Sequence, residues 1–120
     1  NVSNNEIIRA GMESIGYLVN DIIKAMPLQE CPDIIPASGG GARKPLLQFI
    51  SDITENSIGH SSMKDRTAFG VLNLLKKAAG ESILHETVEC DHIFTPQIKD
   101  SLRQVKLDQW HTALRKAEIF

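Results

Sequence analysis

The sequence predicts an all-α protein, a compact bundle of five or six helices with one long flexible loop. Apolar residues recur at steps of three and four, Pro or Gly stands where each such run would end, and no stretch shows convincing strand alternation. The 120 residues are 42% hydrophobic and 23% charged, which suits a single helical domain with one modest core. We therefore assign residues 1–120 to one domain.

The first helix is predicted to follow Ser3 and to stop at Pro27. Ser3 and Glu6 have the spacing of a capping box, in which each side chain accepts a hydrogen bond from the other residue's backbone. An apolar stripe with helical spacing follows: Ile8, Met12, Ile15, Val19, Ile22 and Met26. Gly16 interrupts the helix interior, so we expect a neighbouring element to pack closely there.

Residues 27–44 are predicted to be a loop or linker, because they contain three prolines and the run Gly39–Gly41 but no helical periodicity. The three consecutive glycines raise two interpretations, a ligand loop or a connector. A P-loop needs a preceding strand and a Lys-Ser/Thr pair, and the sequence after Gly41 is Ala-Arg-Lys-Pro. We therefore interpret residues 39–41 as a disordered or engineered connector.

The second helix is predicted to begin at Pro45, a residue well suited to the first helical position, and to end at Gly59. Its buried face is predicted from four residues with helical spacing: Leu46, Leu47, Ile50 and Ile53.

The third helix is predicted from Met63 to Ala79, with Ser62 and Asp65 as a second capping box and Gly80 as its end. Apolar residues cover most of its circumference. That distribution predicts that this helix is the buried centre of the bundle.

The apolar pattern of residues 81–120 is less regular. Residues 81–94 fit either a short helix or an extended segment. Thr95 and Pro96 are predicted to open a last helix, whose apolar stripe slips in phase and predicts a break between Lys106 and Asp108.

Two groups of residues were considered as sites of chemistry. His85, Cys90, Asp91 and His92 include potential zinc ligands, but a C-x-H pair without a second pair does not match zinc spacing. The segment around Arg66 resembles the arginine end of a phosphatase loop only superficially, since His60 stands where the thiolate is required. We predict no metal, no cofactor and no enzymatic activity, and we expect Cys31 and Cys90 to be reduced thiols.

The function predicted from these features is a non-catalytic protein–protein interaction module of a larger intracellular protein, acting as a regulatory or scaffold domain in the cytoplasm or nucleus. A net charge of −2, from 13 Lys+Arg against 15 Asp+Glu, disfavours unspecific binding to nucleic acid or to membranes. The predicted partner is a peptide or a subunit, in a homo- or hetero-oligomer, and the residues predicted to bind it are Arg103, Lys106, Trp110 and Leu114. The alternative is a nucleic-acid-binding domain that uses basic residues of the third and last helices: Lys64, Arg66, Lys76, Lys77, Arg103, Lys106, Arg115 and Lys116.

Overall fold

The computed structural model describes residues 2–27, 32–62, 65–84 and 89–118. These ranges contain four helices and three short strands: α1 (Asn4–Ala25), β1 (Ile34–Ala37), α2 (Lys44–Thr54), β2 (Ser57–His60), α3 (Arg66–Ala78), β3 (His92–Phe94) and α4 (Asp100–Ala117). The strands form one sheet in the order β1-β2-β3, in which β1 is parallel to β2 and β2 is antiparallel to β3.

The prediction of a bundle of five or six helices is therefore wrong. β1 lies inside the predicted loop 27–44, and β3 resolves part of the undecided segment 81–94 as extended chain. The three strands are only three or four residues long, and β1 and β2 each include a residue that strands disfavour, Pro36 and Gly59. Such short segments are too brief to show an apolar alternation, so periodicity could not reveal them.

The predicted start and end of α1 are confirmed. The side chain of Ser3 caps the backbone of Glu6, and the Glu6 carboxylate accepts a hydrogen bond of 2.7 Å from the Ser3 backbone. The helix ends at Ala25, just before Pro27. Gly16 packs closely against α2, also as expected.

The core consists of two clusters that share α2. One lies between α2 and the sheet and contains Leu47, Ile50, Ile58 and Phe94. The other joins α2 to α1 and α4 and contains Tyr17, Ile53 and Leu107. The parallel pair β1 and β2 is thus connected through a helix that covers the sheet, as parallel strands require.

The structure contradicts the prediction that the third helix is the buried centre. Within the described chain no residue of α3 is buried, and Val71, Leu72, Leu74 and Leu75 are between 44% and 69% exposed. An apolar circumference shows that a helix favours burial. It does not show whether another element of the chain lies within reach of it.

Several predicted helix boundaries also need correction. Gly59 lies inside β2, and α2 ends instead at Thr54, where Glu55 adopts a left-handed conformation with φ 59°. Asp65 makes no side-chain cap on α3, so the second capping box is wrong. The last helix begins at Asp100 rather than at Pro96 and continues without a break to Ala117.

Some predictions fall on Cys31, Met63, Lys64 and His85, which lie outside the described residues. Within the described ranges, none of the helices combines the length and apolar character that crossing a membrane requires.

Candidate functional site

A cavity of about 730 Å³ opens where the parallel strands β1 and β2 end. Three segments supply its walls: the turn after β1, the end of β2 and its continuation, and the start of α3. The lining residues are Ser38, Gly39, Gly40, His60, Ser61, Ser62, Asp65, Arg66, Thr67 and Ala68. In open sheets that contain parallel strands, ligands bind in the crevice beyond the carboxyl ends of those strands. This cavity occupies that position.

The glycine run forms a hydrogen-bonded turn on one wall of the cavity. Gly39 has φ +100°, a conformation that side chains other than glycine rarely adopt, and its carbonyl accepts a hydrogen bond of 3.1 Å from the Ala42 N–H. A Cβ added to Gly40 would meet no protein atom within 4 Å. The backbone of this wall is therefore open to a ligand. The interpretation of residues 39–41 as an engineered connector stays a prediction.

The start of α3 forms the facing wall. The N–H of Phe69 makes the first helical bond, to the carbonyl of Asp65, so the preceding amides, including those of Thr67 and Ala68, have no partner within the helix. The helix dipole also makes this end electropositive. The wall is therefore suited to a ligand with negatively charged or strongly accepting groups.

The guanidinium group of Arg66 adds a full positive charge to this wall. Its Nη2 donates a hydrogen bond of 3.2 Å to the Ser61 hydroxyl. Its Nε is buried and has no hydrogen-bond partner among the described residues. An unpaired buried donor is costly, and an acceptor that reached this atom would relieve that cost.

His60 lines the cavity and is held by Asp91, which comes just before β3. The Asp91 N–H donates to the His60 carbonyl at 2.9 Å, and the two side chains meet at 2.7 Å between Nδ1 and Oδ1. The hydrogen bond from His60 holds the pKa of the Asp91 carboxyl below its usual value. With Nδ1 engaged, Nε2 is the ring nitrogen left for a ligand.

The chain closely resembles glycerol kinases in sequence. Over 118 residues it is 31% identical to glycerol kinase from Cereibacter sphaeroides, covering 92% of this chain and 24% of the relative. It is also 31% identical over 119 residues to glycerol kinase from Parabacteroides distasonis, covering 93% and 24%. The chain thus spans about a quarter of the length of the curated relatives it matches. No protein-family model matches the chain.

Solved structures of kinases share the fold of this chain. The crystal structure of Plasmodium falciparum glycerol kinase with ADP matches with a TM-score of 0.70 and 23% identity, over 97% of this chain and 26% of that one. Ligand-bound xylulose kinase from Lactobacillus acidophilus matches with a TM-score of 0.64 and 19% identity, over 98% and 26%. The chain has the fold of a segment of these two kinases.

These comparisons overturn the function predicted from the sequence. The relatives are kinases, so the predictions of a non-catalytic module, of a regulatory scaffold and of a chain without enzymatic role are wrong. The alternative, a nucleic-acid-binding domain, fails with them. The sequence contains no P-loop, although a strand does precede the glycines, since β1 ends two residues before Gly39.

The four residues predicted to bind a partner lie on α4, away from this cavity. Arg103 forms ion pairs with Glu55 and Asp100, Lys106 pairs with Glu13 at 3.4 Å, and Leu114 is half-buried. Trp110 stacks on Tyr17, with ring centroids 5.1 Å apart, and donates from Nε1 to Asp21 at 2.8 Å. Their role in binding a partner stays a prediction, as does the oligomer.

The considered zinc site was centred on residues 85–92. Among the residues that the structure describes, no three His, Cys, Asp or Glu side chains come together in a way that could hold a metal ion. Asp91 instead pairs with His60, and the His92 ring makes an edge contact with Phe94 at 4.4 Å between centroids.

Sequence reasoning missed the cavity because its walls come from three separate segments, and one of its residues, His60, is held by a fourth. The available signal was the glycine run followed, about twenty residues later, by the polar segment 60–67 at the start of a helix. That signal acquires meaning only once β1 and β2 are known to be adjacent and parallel.

Proposed function

We propose that this chain contributes the nucleotide-binding part of an ATP-dependent kinase that phosphorylates a small polyol, with glycerol as the first candidate acceptor. The observation that carries the proposal is the cavity at the carboxyl ends of β1 and β2, in a chain that is similar to glycerol kinases. One structure that shares its fold is a glycerol kinase with ADP.

The walls of the cavity have the chemistry that a nucleotide needs. The glycine turn exposes backbone next to the cavity, and only a residue without a side chain allows such a close approach. The electropositive start of α3 and Arg66 suit phosphate groups. Asp65 and the hydroxyls of Ser38 and Ser62 can bond the hydroxyls of a ribose.

The polyol acceptor and the transfer of the phosphoryl group are proposed from the similarity to glycerol kinases. Catalysis of phosphoryl transfer consists mainly of positioning and electrostatic stabilisation by several groups around the phosphate. The matched region is about a quarter of a glycerol kinase, so nucleotide binding, rather than turnover, is the direct test on this chain. A kinase of this kind uses intracellular ATP, so we place the protein in the cytoplasm.

The test is calorimetric titration of the chain with ADP, using two neighbouring glycines as a matched pair. Gly40→Leu adds a side chain at a residue that lines the cavity, where the new Cβ would meet no protein atom within 4 Å, so ADP binding should be lost. A Cβ on Gly41 would also meet no protein atom within 4 Å, but Gly41 is not among the lining residues, so Gly41→Leu should bind ADP like the wild type.

Thermal melts establish that both variants keep the fold. If the wild type shows no saturable ADP binding, the proposal is wrong. Equal affinities in the two folded variants would also reject this cavity as the nucleotide site.

A further inference from the structure

We propose that Arg66 and His60 together bind the phosphate groups of the nucleotide, and that Asp91 is a positioning residue that orients the His60 ring for this contact. The inference rests on the proposed function and deepens it, because it states which end of the nucleotide faces which wall. We call these three residues the phosphate clasp.

Arg66 is the first residue of the phosphate clasp. Arg66 lines the cavity, and its Nη2 donates a hydrogen bond to Ser61, which is itself only 3% exposed. The guanidinium is thus held from one side, while its buried Nε remains without a partner in the described chain. A guanidinium offers its donors in a planar fork that matches phosphate oxygens, and such bonds are stronger than those between neutral groups.

His60 and Asp91 are the other two residues of the phosphate clasp. Asp91 makes two hydrogen bonds to His60. Its backbone N–H donates to the His60 carbonyl at 2.9 Å, and its carboxylate accepts from Nδ1 of the His60 ring at 2.7 Å. Cys90 packs directly against Gly59, where a Cβ would overlap its sulfur, so the segment before Asp91 is held tightly against β2. The carboxylate keeps a proton on Nδ1 and fixes the ring, as paired carboxylates do for other functional histidines.

The composition of the cavity favours phosphate over the base at this position. No Phe, Tyr or Trp is among the described residues that line it, so a purine ring would find no broad stacking surface here. The lining instead offers an arginine, an imidazole, hydroxyls and the free amides at the start of α3. Asp65 is the one carboxylate among the described lining residues.

The experiment compares the affinities of ADP, AMP and adenosine for the chain and its variants. Arg66→Gln keeps a donor for Ser61 but removes the charge, and His60→Asn removes the imidazole. Each should weaken ADP binding about tenfold or more, the effect expected for losing a hydrogen bond to a charged group, and leave adenosine unchanged. The matched controls Arg115→Gln and His111→Asn, on α4, should leave the affinities for all three ligands unchanged.

Asp91 needs a readout that a purely structural role would not move. In the wild type, the nitrogen NMR signals of His60 should show a protonated Nδ1, and ADP should shift the Nε2 signal. In Asp91→Asn the Nδ1 preference should weaken and ADP affinity should fall, while Asp91→Glu should restore part of both.

The two proposals fail in different ways. Equal loss of ADP and adenosine binding in folded Arg66→Gln and His60→Asn, or no loss at all, overturns the phosphate clasp and leaves the nucleotide site standing. An Asp91→Asn variant with unchanged His60 signals overturns the positioning role. If no ligand binds the wild type, both proposals are wrong.

Discussion

Gly16 of α1 lies directly against the ring of Phe49 of α2: a Cβ on Gly16 would lie 2.5 Å from Cδ1 and 2.7 Å from Cε1 of that ring. The ring is enclosed on other sides by Tyr17, whose centroid is 5.3 Å away, and by the Lys106 ammonium, 5.6 Å from the ring centre. Phe49 therefore joins α1, α2 and α4, and the missing side chain of Gly16 permits this arrangement.

We expect Gly16→Ala to lower the free energy of unfolding by about 1 to 3 kcal/mol, the usual cost of overpacking a core. Gly11→Ala is the matched control, because Gly11 lies in the same helix and an added Cβ meets nothing within 4 Å. There the better helix propensity of alanine should stabilise by up to about 1 kcal/mol. Urea unfolding measures both, and a stabilising Gly16→Ala would contradict the close contact.

Gly59→Ala should also destabilise the chain, because the added Cβ would overlap the sulfur of Cys90 and lie 2.9 Å from Cγ2 of Ile34. The expected loss is about 1 to 3 kcal/mol. Cys90→Ala in the same chain should recover part of it, since it removes one of the two obstacles. Chemical denaturation of the two single variants and the double variant gives the coupling energy. Strict additivity would argue against the contact.

Leu74→Ala should change stability by no more than about 0.5 kcal/mol, because Leu74 is 69% exposed on α3. Leu107→Ala should cost about 2 to 5 kcal/mol, because Leu107 is 2% exposed in the core. Both variants shorten a leucine in a helix to the same residue, so the comparison isolates burial. Similar losses would show that α3 is buried after all.

The contact between α1 and α4 should weaken in acid. Burial opposes ionisation of Asp21, but hydrogen bonds from Trp110 and His111 outweigh it, and the net effect is a lowered pKa. A carboxyl group with a depressed folded pKa stabilises above its unfolded pKa, near 3.8, and this contribution is lost as the pH falls through the folded pKa. The difference in melting temperature between wild type and Asp21→Asn should therefore shrink below about pH 4.

A second variant separates the hydrogen bond from the aromatic stacking. Trp110→Phe keeps an aromatic ring near Tyr17 but removes the donor to Asp21, and should cost about 1 to 3 kcal/mol near neutral pH. If its deficit stays constant across the acid range, the Asp21 contact is not the source of the pH dependence.

Local sequence patterns predicted where the helices lie better than they predicted which helices are buried. The Ser3–Glu6 capping box and Pro27 located α1, and the spacing of Leu47, Ile50 and Ile53 identified the buried face of α2. The same kind of pattern misplaced α3, because periodicity describes one helix and not its neighbours. The cavity could not be predicted, since none of its walls carries a complete motif.

The sequence by itself determined the extent of α1, the core face of α2 and the end of α3 near Gly80, because caps and helical periodicity depend on residues within about four positions of one another. Only the tertiary structure decided that short strands with a proline and a glycine form a sheet. It also brought Asp91 to His60, 31 positions away, and the start of α3 to the glycine turn. Such contacts depend on which distant segments pair, and no local pattern contains that information.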